Sequence, residues 1–133
     1  MTMCLFCEIA RGERPANIVC RDEICTAFLD SDPISEGHVL LIPNRHWLDA
    51  DDVPEAEFLH LMSVARRLVG ALKEAYSPDG YSIMQNGGRF NDIGHFHLHL
   101  FPRNSKDGFG WKYPQGEFSA NGLIAERIAE YMK

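Results

Sequence analysis

The chain has 133 residues, 45% of them hydrophobic, with nineteen acidic against thirteen basic side chains and a formal charge of -6. That length suits a single domain, residues 1–133, which buries roughly two thirds of its unfolded surface without cross-links. The charge opposes binding to polymeric nucleic acid, no apolar run reaches the roughly 20 residues of a membrane span, and the opening MTMCLFCEIARGERP lacks the order of a secretory signal, so a cytoplasmic protein is expected.

A single small-molecule nucleotide stays open as a ligand, because its phosphates need only backbone N–H groups, imidazoles or one arginine. Taken in chain order, Cys4 to Arg11 reads as one or two helical turns ended by Gly12, with Pro15 opening an extended stretch. Asn17 to Cys20 and Ile24 to Leu29 read as two strands joined by a tight turn, and Cys20 and Cys25 look like buried strand residues. Asp30 to Pro33 break the pattern, Gly37 punctuates it, and His38 to Ile42 (HVLLI) reads as a third strand ended by Pro43.

From Pro54 to Tyr76, apolar Phe58, Leu61, Met62, Ala65, Leu68, Val69 and Leu72 recur at steps of three and one, the stripe of an amphipathic helix, with Asp52 as its expected cap. Pro78, Asp79 and Gly80 stop it, and Tyr81 to Gln85 reads as a fourth strand leading into a loop that begins Asn86-Gly87-Gly88. HFHLHLF then alternates polar and apolar side chains with a period of two, so His95, His97 and His99 are expected on one wet face and Phe96, Leu98 and Leu100 against the core. After Pro102 a surface loop is expected up to Gly116. Glu117 to Lys133 reads as a closing helix, whose start Asn121 and Gly122 can delay to Leu123. The plan is α+β: an antiparallel sheet, one long central helix and a C-terminal helix.

Imidazole exchanges protons, binds metals and attacks phosphorus near neutral pH, so three in a row on one strand, neighbours about 6.5 Å apart, suit any of these roles. The alternative is a solvated face that is merely rich in histidine. Cys4 and Cys7 form a C-x-x-C pair, compatible with a redox couple, zinc or small buried thiols.

HFHLHLF resembles the motif of the histidine-triad (HIT) family, His-φ-His-φ-His-φ-φ with φ apolar, at every place, and the resemblance runs from CLFCEIARGE through AFLD, GHVLLIPNRH and IMQNGG to LFPR. It implies a HIT-like fold and a nucleotide hydrolase in which His97 attacks the α-phosphorus and His99 binds phosphate and helps move a proton. His38 would orient the triad, or be a surface residue beside a turn. Asp30 would receive ribose hydroxyls, or cap a strand, with Phe28 and Leu29 walling the base site. Asn86 would lie near the phosphate, or only supply a turn.

Where the family commonly has Gly-Gln-Ser or Gly-Gln-Thr, this chain has Phe90, Asn91 and Asp92. A carboxylate there repels phosphate unless it turns away or binds a cation, and Arg89 either compensates or carries an idle charge. The resemblance also implies structural Zn²⁺ on Cys4, Cys7, His46 and His95, and a homodimer. Expected substrates are dinucleoside polyphosphates or nucleoside phosphoramidates, cleaved through a nucleotidyl-histidine. The alternatives are nucleotidyl transfer and a catalytically weak nucleotide-binding module.

Overall fold

The computed structural model describes residues 3–132. Helix α1 (Leu5–Ala10) begins where the Cys4 sulfur accepts the Cys7 N–H at 3.4 Å, and it buries Phe6 and Ile9 on one side. Strands β1 (Ile18–Arg21), β2 (Cys25–Leu29) and β3 (Val39–Pro43) follow. Next come the long helix α2 (Glu55–Tyr76), β4 (Gly80–Met84), β5 (Leu98–Arg103) and the closing helix α3 (Gly122–Glu130). The sheet order is β1-β2-β3-β5-β4 with every pair antiparallel, so β5 inserts between β3 and β4 and lies at the interior of the sheet.

Alternation along the strands divides the core in two. One face carries Ala27, Val39, Leu41, Leu98 and Leu100 against Leu61, Val64, Ala65, Leu68 and Leu72 of α2. The other carries Phe28, Leu40 and Ile42 against Phe6 and Ile9 of α1. Burying one such leucine is worth roughly 1.5–3 kcal/mol. Because both faces are covered, β3 reads as a continuous apolar run rather than as an alternating strand, and β2 is buried from Cys25 to Phe28.

The sequence reading needs correction at several places. Asp52 does not cap α2: Pro54 holds that position without a side-chain bond, while the Asp52 carboxylate accepts the Asp49 N–H at 2.9 Å in the preceding turn. Cys20 is exposed, because β1 is an edge strand with a bulge between Ile18 and Cys20 and none of its residues is buried, whereas Cys25 is buried as expected. The helix at the C-terminus starts at Gly122 and not at Glu117, since the Asn121 side chain accepts the N–H groups of Leu123 and Ile124 and so sets its first turn. Lys133 lies outside the described residues. The final strand begins only at Leu98 and runs through Pro102 to Arg103, so His95, Phe96 and His97 are the approach to it.

Gly37, directly before His38, has a φ of +92°, and a Cβ there would lie 2.6 Å from the Tyr76 ring. Only glycine brings the chain past the end of α2 at this distance. No helix among the described residues is long and apolar enough to cross a membrane.

Candidate active site

His95, His97 and His99 do share a face, but it is not a wet one. His95 and His97 are 0% and 3% exposed, because α1 covers that side of the sheet and Phe6 packs edge-on against both rings at 6.1 and 5.3 Å. Alternation fixed the direction of these side chains, while the cover comes from Phe6, 89 residues before His95 in the chain. His99 is partly open, and its ring lies 4.9 Å from that of His97, closer than neighbours on an ideal strand.

Hydrogen bonds assign the tautomers. His97 Nδ1 lies 2.8 Å from the His95 carbonyl oxygen, which can only accept, so Nδ1 carries the proton and Nε2 keeps a lone pair. His38 Nδ1 accepts the Ile34 N–H at 3.0 Å; its Nε2 therefore donates to His99 Nδ1 at 2.9 Å, and His99 is left with its proton on Nε2. The chain Ile34 N–H, His38, His99 thus delivers a donor beside the unprotonated nitrogen of His97. Burial favours the neutral form of His99 and His38: His99 is held down at about 4, chiefly by burial and then by the neighbouring His97 and His38, and burial lowers His38 as well.

A cleft of about 470 Å³, large enough for a nucleotide-sized ligand, opens beside the triad. His97 and His99 line it together with Phe28, Leu29, Asp30 and Asp92, so six of the residues expected to touch nucleotide come together. One Asp30 oxygen accepts the Asp32 N–H at 2.8 Å, and the other lies 3.5 Å from His38 Nε2. Asn86 and Arg89 are not in this lining. Asn86 lies two residues past the Met84–His99 pair and borders a separate groove with Ser82, Arg103, Trp111 and Lys112, and Arg89 sits exposed in the 3-10 turn Gly88–Phe90. Sequence reasoning missed Phe6, Arg14 and Asn17, all cleft residues. The Phe6–Ile9 spacing marks the packed side of α1, but nothing local tells which strand face it covers.

Behind the triad, Cys4, Cys7, His46 and His95 place two sulfurs and two ring nitrogens within 4.8 Å of one another. Cys4 Sγ and Cys7 Sγ lie 3.4 and 3.5 Å from His95 Nδ1, and Cys7 Sγ lies 3.2 Å from His46 Nδ1. Around a tetrahedral zinc, sulfur and nitrogen ligands stand about 3.5 Å apart, so the set needs little adjustment to take one. His95 Nε2 donates to the Pro43 carbonyl at 2.8 Å, which turns the unprotonated Nδ1 toward the sulfurs, the outer-shell arrangement of a metal-binding histidine. Burial and the neighbouring Cys4 push the Cys7 thiol up to about 11, so a thiolate pair here calls for a cation.

Comparison with known proteins agrees with this geometry. The model of the HIT domain matches residues 11–106. An uncharacterized HIT-like protein of Methanocaldococcus jannaschii is 39% identical over 108 residues, covering 80% of this chain and 83% of its own. The adenosine 5'-monophosphoramidase of Saccharomyces cerevisiae is 33% identical over 130 residues, covering 94% of this chain and 80% of its own. The crystal structure of a zinc-bound histidine triad family protein from Mycobacterium smegmatis superposes with a TM-score of 0.75 at 33% identity, covering 85% of this chain and 84% of that one. With the triad, its supporting histidine and the cleft all in place, the chain belongs to the HIT family.

Proposed function

We propose that this protein hydrolyses a nucleoside phosphoramidate or dinucleoside polyphosphate at the α-phosphorus and releases a nucleoside monophosphate. The observation that carries this reading is the His97 tautomer: Nδ1–H held by the His95 carbonyl, Nε2 unprotonated on a ring that lines a nucleotide-sized cleft. The Nε2 lone pair forms a bond to phosphorus as the bond to the leaving group breaks. His99 Nε2–H donates to a phosphoryl oxygen, where negative charge grows. Water then attacks the same phosphorus, the P–N electron pair returns to His97 Nε2, and the water's proton passes to solvent.

In this reading Asp30 accepts ribose hydroxyls while Phe28 and Leu29 wall the base. His38 acts through His99 as a positioning residue. Asn86 and Arg89 lie outside the cleft lining, and Asn86 keeps the place near the phosphate or leaving group that the resemblance implies. The activity named for the yeast relative supports the phosphoramidate class.

We further propose that Cys4, Cys7, His46 and His95 hold a structural zinc. When bound, the metal supplies charge neutralisation for two thiolates and a tie between α1 and the approach to β5. A second copy of this chain is the partner proposed for the C-terminal segment. There Trp111, Tyr113, Phe118 and Leu123 are 92, 86, 80 and 76% exposed, and α3 buries none of its side chains.

The test is His97→Ala. It deletes the bond-forming atom but leaves Asp30, His99 and the cleft, so turnover should fall by about a thousandfold or more while nucleoside monophosphate binding persists. Rapid quench of wild type with a phosphorus-labelled nucleotide, followed by alkaline peptide mapping, should place the label on His97. An active alanine variant, or label on another residue, rejects the mechanism.

A further inference from the structure

The proton that defines the nucleophile is held by a peptide group outside the sheet. The β3–β5 ladder ends at the Leu41–Leu98 pair, and the carbonyl that accepts the His97 Nδ1–H belongs to His95, three residues earlier. His95 C=O and Phe96 N–H are the two ends of one planar trans peptide, so whatever fixes the N–H also aims the carbonyl. The Phe96 N–H donates to the Trp47 carbonyl at 2.7 Å. Trp47 is gripped in its turn. Its indole Nε1–H donates to Glu57 Oε2 at 2.8 Å, and Glu57 Oε1 accepts from Arg45 Nη1 at 2.8 Å, with that guanidinium 4.7 Å over the indole ring. Glu57 stands in the first turn of α2 with its side chain only 13% exposed, and the indole packs against the same core cluster as α2. The longest helix thus reaches the attacking imidazole through one side chain, one backbone carbonyl and one peptide.

We propose that Trp47 and Glu57 are positioning residues for His97: through the His95–Phe96 peptide they keep its proton on Nδ1 and its Nε2 lone pair facing the cleft. This role rests on the His97 reaction. Neither side chain lines the cleft, so both act only through the peptide. Hydrogen bonds in such a chain polarise one another, and donation by the Phe96 N–H makes the His95 carbonyl a stronger acceptor. If the peptide turns, His97 Nδ1–H loses its partner and the ring is free to carry the proton on Nε2, which leaves no lone pair there for phosphorus. Geometry suffers as well, since a misplacement of about 1 Å at the reacting atom costs about a hundredfold in rate.

The experiment compares Glu57→Ala, Glu57→Gln and Trp47→Phe with wild type, all made with ample zinc. Glutamine keeps a side-chain oxygen for the indole N–H, alanine removes it, and phenylalanine removes the donor while keeping a ring against the core. Trp47→Phe leaves α2 untouched and reports even where Glu57→Ala folds poorly. In Glu57→Ala and Trp47→Phe, kcat for adenosine 5'-phosphoramidate should fall by about tenfold with KM within about twofold, and Glu57→Gln should keep about half of the wild-type kcat or more. Nitrogen-15 shifts of the His97 ring, read without substrate in mildly alkaline buffer, should show the Nδ1–H form alone in wild type and Glu57→Gln. Glu57→Ala and Trp47→Phe should show a mixture of both tautomers. The Nδ1–H form alone in all four proteins overturns the role, as does a loss of kcat in Glu57→Gln equal to that in Glu57→Ala. Loss that follows zinc content overturns it too, because His46 beside Trp47 then carries the effect. Tautomers that change as expected in a protein that never takes label on His97 reject the reaction and leave the positioning in place.

Discussion

His38 shows how one side chain links the backbone to the reacting atoms. Its ring is 2% exposed, accepts the Ile34 N–H and donates to His99, and so decides which nitrogen of His99 carries the proton. His38→Ala removes that choice and lets His99 adopt the other tautomer. Turnover is expected to fall by about a hundredfold with little change in KM, because the donor to the phosphoryl oxygen matters most in the transition state. Steady-state kinetics separates the two parameters, and an equal rise in KM would make His38 a binding residue instead. His38→Gln, which can donate through its side-chain amide, should recover part of the loss.

Among the elements, α1 has the least sequence for the most consequence. Six residues supply Phe6 to the His97 ring, Ile9 to the second core cluster and Cys7 to the metal-ligand set, with Cys4 at the cap. So short a helix cannot stand alone in water. Its position therefore depends on the Phe6–Ile9 packing and, in the proposed holoprotein, on the zinc. Elemental analysis of protein made with ample metal is expected to find about one zinc per chain, and Cys4→Ser with Cys7→Ser should abolish it. Chelation should lower Tm and expose the amides of α1 to hydrogen exchange ahead of those of α2. Metal-free protein with unchanged stability would reject the site.

For the whole molecule, the C-terminal segment and the buried histidines each carry a prediction. Among the described residues, the large apolar side chains of residues 111–132 are exposed, so light scattering should report a dimer across the micromolar range, and a chain ending after residue 116 should be a monomer or a weaker dimer. A full-length monomer rejects the proposal. His99 is held at about 4 in the folded protein against an ordinary 6.5, so below 6.5 the unfolded chain takes up the proton that the folded one refuses. Stability is therefore full above about pH 6.5 and is lost as the pH falls toward about 4. Urea midpoints across this window should decline, and more gently in His99→Asn; equal slopes would show that other groups govern the acid limb.

What the sequence determined by itself is local. The period of two in HFHLHLF put three imidazoles on one side and Phe96, Leu98 and Leu100 on the other, and the reading of Pro54 to Tyr76 from its apolar stripe lies within a residue of α2, Glu55–Tyr76, because alternation and helical repeat follow from backbone geometry alone. The family resemblance added the ligand set, and the distances among Cys4, Cys7, His46 and His95 agree with it. The tertiary structure decided what surrounds these residues. It buried His95 and His97 under Phe6, turned Cys20 out on a bulged edge strand, left Asn86 and Arg89 outside the cleft and brought Arg14 and Asn17 into it. It also set the tautomers of His95 and His99 through groups distant in sequence, with Pro43 acting on His95 and Ile34 on His99 by way of His38. Burial and proton placement depend on which segments meet across the sheet, and that pairing is not contained in the spacing of any one segment.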